Sequence, residues 1–393
     1  MKRRIALVMT WALLSTACSS TAASIADDVL ATIAAETPAP ITTSTTVTPQ
    51  HADYTDVNDN VDAFFSEFIT STTPGGVVIV LKDGQIIHQA AYGMANLKQK
   101  IPLTVAHQFH LASIGKQMTA LGIMMLAEQG KLQYDDRLST YIPELTRYSG
   151  SMTLRQVLNH TAGLPDYDDG VTESLLARSD APTNDDLITV MSRKRKLMAP
   201  PGDGFYYSNV GYDLLAVVIE RVSGETYPDF VQTHIFDTLG MTHTFSLPNA
   251  KRRKDPLIAI SYTGSSQQPE AYPSDNLDGI YGSGSLYSTL GDMALYDAAL
   301  YGDALVTQKT YKEALKPAQL NDGSREPYGF GLEFAKWHNE SYVAHSGAWL
   351  GFNNDYVRFA KKHFSVIVLL NRDYDIPDDP RIALQVAQFY LEK

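Results

Sequence analysis

From Ser113 to Gly130 the chain reads Ser-Ile-Gly-Lys-Gln-Met-Thr-Ala-Leu-Gly-Ile-Met-Met-Leu-Ala-Glu-Gln-Gly. From Met118 onward the segment is apolar almost all the way round a helix, where a surface helix would keep one polar side. Such a helix has to be enclosed, so the rest of the chain must fold around it. Gly130 is its natural stop, because glycine accepts the left-handed conformation that closes a helix. A chain of 393 residues, 44% hydrophobic and 19% charged, has ample material for that core. The length suggests one large domain or two to three lobes.

The flanking patterns suggest what does the enclosing. Val61, Phe64, Phe65, Phe68 and Ile69 recur at helical spacing. Val77–Leu81 and Gln85–Ala91 are apolar runs on either side of Lys82-Asp83-Gly84, a hairpin signal. Near the other end, Ser341–His345, Asn354–Phe359 and Phe364–Leu370 read as strands. Asp379 and Pro380 open a last helix as N-cap and first residue, with Ile382, Val386, Phe389 and Tyr390 on its apolar face. The middle is mostly helical and loop, including a helix over Tyr212–Val222. The expected fold class is α+β: an antiparallel sheet built from both chain ends, flanked by helices, with a mostly helical region inserted between them.

Residues 1–17 read as a signal peptide: Lys2, Arg3 and Arg4, the apolar run Ile5–Leu14, then Ser15, Thr16 and Ala17. The run is too short to cross a bilayer, which takes roughly 20 residues. With Cys18 next, the stretch resembles a bacterial lipoprotein signal, in which that cysteine becomes the lipid anchor. Residues 18–54 then form the anchor site and a Ser/Thr/Ala/Pro-rich linker, with a short helix expected over Ser24–Glu36. As a flexible tether the linker reaches roughly 30–35 Å. The folded domain is 55–393, and the expected location is the bacterial cell envelope, anchored to a membrane that faces the periplasm or the exterior.

Charge and cysteine count exclude several functions. The net charge is −12, becoming −15 once residues 1–17 and their three cations are gone, so nucleic acid is not an expected partner. One cysteine excludes an internal disulfide framework, a CxxC pair and a cysteine zinc site. There is no G-x-S-x-G elbow, no H-E-x-x-H helix and no Walker loop. Asp166, Asp168 and Asp169 lack calcium-loop spacing and read as a solvated turn, so no metal is expected there. The basic runs Arg193–Lys196 and Lys251–Lys254 read as solvent-facing.

Three short motifs remain: Ser113-Ile114-Gly115-Lys116, Tyr207-Ser208-Asn209 and His345-Ser346-Gly347. Residues three apart on a helix share a face, so the Ser113 hydroxyl and the Lys116 amine can meet. Serine becomes a nucleophile when a neighbouring base takes its proton, and a lysine in a dry helix interior loses charge more easily. S-x-x-K arises by chance about once in a chain this long, and its usual meaning is a capping serine and a surface lysine. Here the helix is buried, where an unpaired lysine is costly without a task. Y-x-N occurs once, in a loop after Pro200-Pro201-Gly202; alone it is a structural tyrosine and a capping asparagine. H-x-G alone is a strand end with a turn glycine. Of the histidines outside the motifs, His160 reads as a structural hydrogen-bonder, and His110, close to Ser113, stays open.

In this order the motifs resemble the serine β-lactamase and penicillin-binding-protein superfamily, in its class C-like branch. That branch includes class C β-lactamases, D-Ala-D-Ala carboxypeptidases, D-aminopeptidases and some esterases. The likeness runs from about Gly75 to the C-terminus. It takes in Leu158-Asn159-His160-Thr161-Ala162-Gly163-Leu164 and Gly282-Ser283-Gly284-Ser285-Leu286-Tyr287-Ser288. The resemblance implies a β-lactamase/transpeptidase-like fold and a cofactor-free acyl transfer. Ser113 is then the acylated nucleophile, and Lys116 with Tyr207 handles its proton. Asn209 contacts the substrate amide, and His345, with Ser346 and Gly347 after it, lines the opposite wall. The oxyanion hole is made by the N–H groups of Ser113 and Ala348. Class C β-lactamases usually carry lysine at the place of His345, a fixed cation for the β-lactam carboxylate. A histidine is mostly neutral at pH 7 and looks like the peptidase and esterase members. The expected partner is a small-molecule or peptide substrate, an amide or ester. A class C-like β-lactamase and a non-catalytic envelope penicillin-binding module remain as alternatives.

Overall fold

Six strands from the two ends of the chain share one antiparallel sheet: β1 (Gly76–Lys82), β2 (Gln85–Tyr92), β3 (Glu333–Trp337), β4 (Glu340–Trp349), β5 (Phe352–Phe359) and β6 (Phe364–Leu370), in the order β3-β4-β5-β6-β1-β2. The computed structural model describes residues 58–194, 196–246, 255–272, 276–377 and 381–391. The expected signal, anchor and linker, the Lys251–Lys254 run and the Asp379-Pro380 helix start lie outside the described residues. The two Val-, Ile- and Leu-rich runs pair at the middle of the sheet, with Val78 opposite Val368 and Ile79 opposite Ile367. Between β1 and β2, Asp83 and Gly84 both take positive φ (51° and 74°), the backbone of a tight hairpin whose twist matches its strands.

Alternation along β1 supplies two cores. Val78 and Val80 face the terminal helices α1 (Asp59–Ser66) and, at the far end, Ile382–Leu391, packing with Val61, Phe65, Ile382 and Val386. Val77, Ile79 and Leu81 face the inserted region and join the larger core. That core is organised by α2 (Lys116–Glu128) and α3 (Asn209–Ser223). Every side chain from Lys116 to Leu126 is buried, as the all-round apolar pattern requires. The helices approach closely at Gly122, where a Cβ would stand 2.7 Å from the Ile219 side chain.

Several boundaries differ from the sequence reading. Helix α1 stops at Ser66, short of Ile69. The buried helix begins at Lys116, because Ala112–Gly115 form a tighter 3-10 turn after the chain bends at Ala112. Tyr207-Ser208-Asn209 is only partly loop: the Ser208 hydroxyl accepts from Gly211 N–H (3.1 Å), and Asn209 is the first residue of α3. His345 does not end its strand. The β4–β5 ladder continues to Trp349 opposite Phe352, and the chain turns through Leu350 and Gly351.

Candidate active site

Ser113 lies in a turn held between two glycines. A Cβ on Gly284 would stand 2.9 Å from the Ala112 carbonyl oxygen, and one on Gly347 would stand 2.2 Å from the Leu111 oxygen and 3.2 Å from Ser113 N. Only bare backbone approaches that closely. Leu111 N–H donates to Leu286 O (2.8 Å), and the Asn354 amide donates to His110 O (2.8 Å). Ala112 N–H donates to His110 Nδ1 (3.0 Å). These contacts hold Ala112 at a φ of 49°, a conformation that costs a non-glycine residue on the order of 1–3 kcal/mol. His110 thus accepts through Nδ1, and burial lowers its pKa to about 4, so the ring is a neutral prop for the turn.

One turn on, the Lys116 amine is fully buried and donates to Ser113 Oγ (3.0 Å), Asn209 Oδ1 (2.6 Å) and Ser283 O (2.9 Å). It also lies 4.9 Å from the centre of the Tyr207 ring and 5.6 Å from that of Tyr212. Burial pulls its pKa down to about 7, against the pull of Asp213 and Asp166. Near neutral pH this amine can therefore take a proton from the hydroxyl beside it.

Two of the three acceptors of Lys116, Asn209 and Ser283, are anchored by carboxylates. Asp166 Oδ1 accepts from Asn209 N–H (2.9 Å), and its Oδ2 accepts from the Asn209 side-chain amide (2.9 Å). Asp213 is fully buried and accepts from Ser283 N–H (2.8 Å) and the Tyr167 hydroxyl (2.6 Å). Burial pushes both carboxyls up, that of Asp213 to about 7. The solvated-turn reading is corrected for Asp166: Asp168 and Asp169 are exposed, whereas Asp166 is turned inward onto the first residues of α3. Asp213 was legible in principle, being four residues after Asn209 on one helix face. Asp166 carried no such signal.

The opposite wall is tied together by aromatic and imidazole groups. The Tyr207 ring packs 4.2 Å from His160, with its hydroxyl on the Ser113 side. Burial raises that phenol well above its usual range, so Lys116 is the better base of the two at neutral pH. Ser208 N–H donates to His160 Nδ1 (3.2 Å), which leaves the His160 proton on Nε2, facing the Tyr328 hydroxyl oxygen (3.2 Å). Tyr328 O–H donates to His345 Nε2 (2.9 Å), and His345 Nδ1–H donates to Ser346 O (2.6 Å). Burial and the nearby Lys116 lower the His345 pKa to about 3, and His160 is likewise driven well below its usual range. Both rings are neutral.

An open cleft runs over Ser113 and is lined in part by Tyr167, Asn209, Ser285, Ala348 and Trp349. His345 is not in this lining. Its strand alternates, so His345 and Gly347 are buried toward the turn while Ser346 and Ala348 are exposed. The expectation that His345 lines the wall is thereby corrected to a buried link between Tyr328 and β4. The structure brings Ser113, Lys116, Tyr207 and Asn209 together, with Ala348 across the cleft.

A six-stranded antiparallel sheet with this helical insertion is the β-lactamase/transpeptidase-like fold. Residues 61–391 match the family model described as Beta-lactamase, and the chain belongs to that family, within the serine β-lactamase and penicillin-binding-protein superfamily of serine hydrolases. It is 33% identical over 328 residues to penicillin-binding protein 4* of Bacillus subtilis (strain 168), covering 80% of this chain and 72% of that protein. It is 27% identical over 306 residues to a D-aminopeptidase of Cereibacter sphaeroides (strain KD131 / KCTC 12085), covering 76% of this chain and 57% of that one. Among solved structures it resembles the octameric penicillin-binding protein homologue from Pyrococcus abyssi, with a TM-score of 0.73, 25% identity, and 87% and 78% of the two chains covered. The family is the one the three motifs resemble.

Proposed function

We propose that this chain is a hydrolase that transfers an acyl group through an ester on Ser113, acting on small amides or esters of the D-Ala peptide type. The observation that carries this reading is the fully buried Lys116 amine 3.0 Å from Ser113 Oγ, with its proton affinity lowered to near neutrality. Ser113 Oγ attacks the carbonyl carbon and gives its proton to Lys116. The carbonyl oxygen, now negative, is met by the N–H groups of Ser113 and Ala348. As the bond to the leaving group breaks, the proton passes through the Tyr207 hydroxyl to the departing nitrogen or oxygen. Water then cleaves the Ser113 ester by the same route in reverse. Asn209 holds Lys116 and offers its amide to the substrate.

Relatives named penicillin-binding protein and D-aminopeptidase support peptide-like or amide substrates. The neutral, buried His345 supplies no cation for a carboxylate, which favours peptidase, amidase or esterase chemistry over a true β-lactamase. The test is intact-protein mass after exposure to a fluorophosphonate and to a penicillin, with turnover of D-alanine anilide, a D-Ala-D-Ala peptide and a nitrophenyl ester. A covalent adduct on the wild type, absent from Ser113→Ala, and turnover that falls at least about 10³-fold in that variant are expected. Retained turnover in Ser113→Ala refutes the mechanism. Rapid release of hydrolysed penicillin makes the protein a β-lactamase instead.

A further inference from the structure

We propose that Asp166 is a positioning residue for acyl transfer, fixing Asn209 and placing a negative charge behind the Lys116 amine. The proposal rests on the Ser113–Lys116 reading above. Its basis is a continuous chain of contacts. Lys116 Nζ donates to Asn209 Oδ1 at 2.6 Å, and the amide nitrogen of the same side chain donates to Asp166 Oδ2 at 2.9 Å. The amide is thus held at both ends, with its oxygen committed to the lysine.

A purely structural role would be to cap α3, and Asp166 Oδ1 does accept from Asn209 N–H (2.9 Å) and lies near Val210 N–H (3.5 Å). Helix α3 already has an N-cap in Ser208, whose hydroxyl accepts from Gly211 N–H. The bond to the Asn209 side chain does nothing for the helix terminus. It does decide which end of that amide meets Lys116. All three of these donors are N–H groups, so Asp166 acts here purely as an acceptor, the form a carboxylate supplies.

The neighbouring residues make the same segment a support for the other side of Lys116. The Tyr167 hydroxyl donates to Asp213, which holds the Ser283 N–H while Ser283 O accepts from Lys116. Pro165 O accepts from the Ser208 hydroxyl (2.9 Å). Three consecutive residues therefore brace the loop before α3, Asn209, and, through Asp213, Ser283. The ionisable groups around Lys116 are Asp166, Asp213 and Tyr207 with Tyr212, and the neutral His160 and His345 on the opposite wall. Asp166 and Asp213 are the carboxylates that favour its cation.

Asp166→Asn tests this with little change in shape. The variant can still accept from the backbone N–H groups, yet it loses the charge and turns an amide toward an amide. Asn209 then either loses a partner or flips its NH₂ toward Lys116. The readout is the second-order rate of fluorophosphonate labelling of the full chain as a function of pH. A fall of about 10-fold or more at the alkaline plateau is expected. The acidic limb should also move to lower pH by on the order of one unit, because a cation that loses a facing anion gives up its proton more easily. Asp168→Asn, the same charge change at an exposed neighbour, should leave both unchanged. Thermal melts accompany each variant, and Asp166→Ser replaces Asp166→Asn if the latter does not melt cooperatively. A lower melting temperature with an unmoved limb, or a limb that moves upward, overturns the proposal. No labelling of the wild type overturns the Ser113 reading, and this assignment with it.

Discussion

Adding one methyl group at Gly347 should separate the two sides of the reaction centre. In the structure a Cβ on residue 347 would stand 2.2 Å from the Leu111 carbonyl oxygen, where contacts under 3.0 Å essentially never occur. Strand β4 and the nucleophile turn must therefore part by at least about 0.8 Å in a Gly347→Ala variant. The turn cannot retreat freely, since Gly284 already meets the Ala112 backbone from its other side. The displacement falls between Ser113 N and Ala348 N, the two proposed oxyanion donors. Misplacement of reacting groups by about 1 Å costs on the order of 10²-fold in rate. Overpacking of a filled interior costs about 1–3 kcal/mol, which a domain of ordinary stability survives. The expected result is a folded protein whose kcat/KM on its best ester or amide falls about 100-fold. Urea unfolding should report the stability loss in parallel. A Gly347→Ala variant within threefold of wild-type kcat/KM would refute the reasoning, and with it the placing of the oxyanion donors across this contact.

Three further outcomes are expected. Acylation needs the neutral Lys116 amine, so log kcat/KM should rise with unit slope through about pH 7 and flatten above it, and a profile flat from pH 5 to 9 would contradict Lys116 as base. The same shift has a stability consequence of fixed sign: the folded-state pKa is below the unfolded 10.5, so the contribution of Lys116 is full above that value and is lost as pH falls toward 7, and the margin of a Lys116→Met variant over the wild type should shrink from pH 7 to pH 10 in chemical denaturation. If Cys18 carries a lipid, the expressed protein should enter the detergent phase on Triton X-114 partitioning and Cys18→Ser should stay in the aqueous phase; equal partitioning of the two would refute the expected anchor.

Much of the frame was legible because its causes are local. The stretches Val77–Leu81 of β1 and Val366–Leu370 of β6 are apolar without interruption, and Asp83-Gly84 supplies the two positive φ values that a tight hairpin needs. The Ser113–Lys116 pair was legible for the same reason, since three residues of helix bring the two side chains onto one face. The roles of Tyr207, Asn209 and Ala348 rested mostly on family likeness, because their meeting with Ser113 depends on contacts between distant stretches of chain. Asp166 was misread because Asp-Tyr-Asp-Asp has the composition of a solvated turn; it is the N-terminus of α3, brought against it, that turns the carboxylate inward.

The sequence alone determined that a hydroxyl and an amine share one face of an enclosed helix, and that a sheet joins the two ends of the chain. Their chemical states were decided by tertiary structure. Lys116 is pulled toward neutrality, and His345 is kept neutral, by water excluded from around them by residues far along the chain. Periodicity can place a titratable group on a face. Desolvation, the dominant cause of both shifts, depends on everything packed around that face, and only the folded chain specifies it.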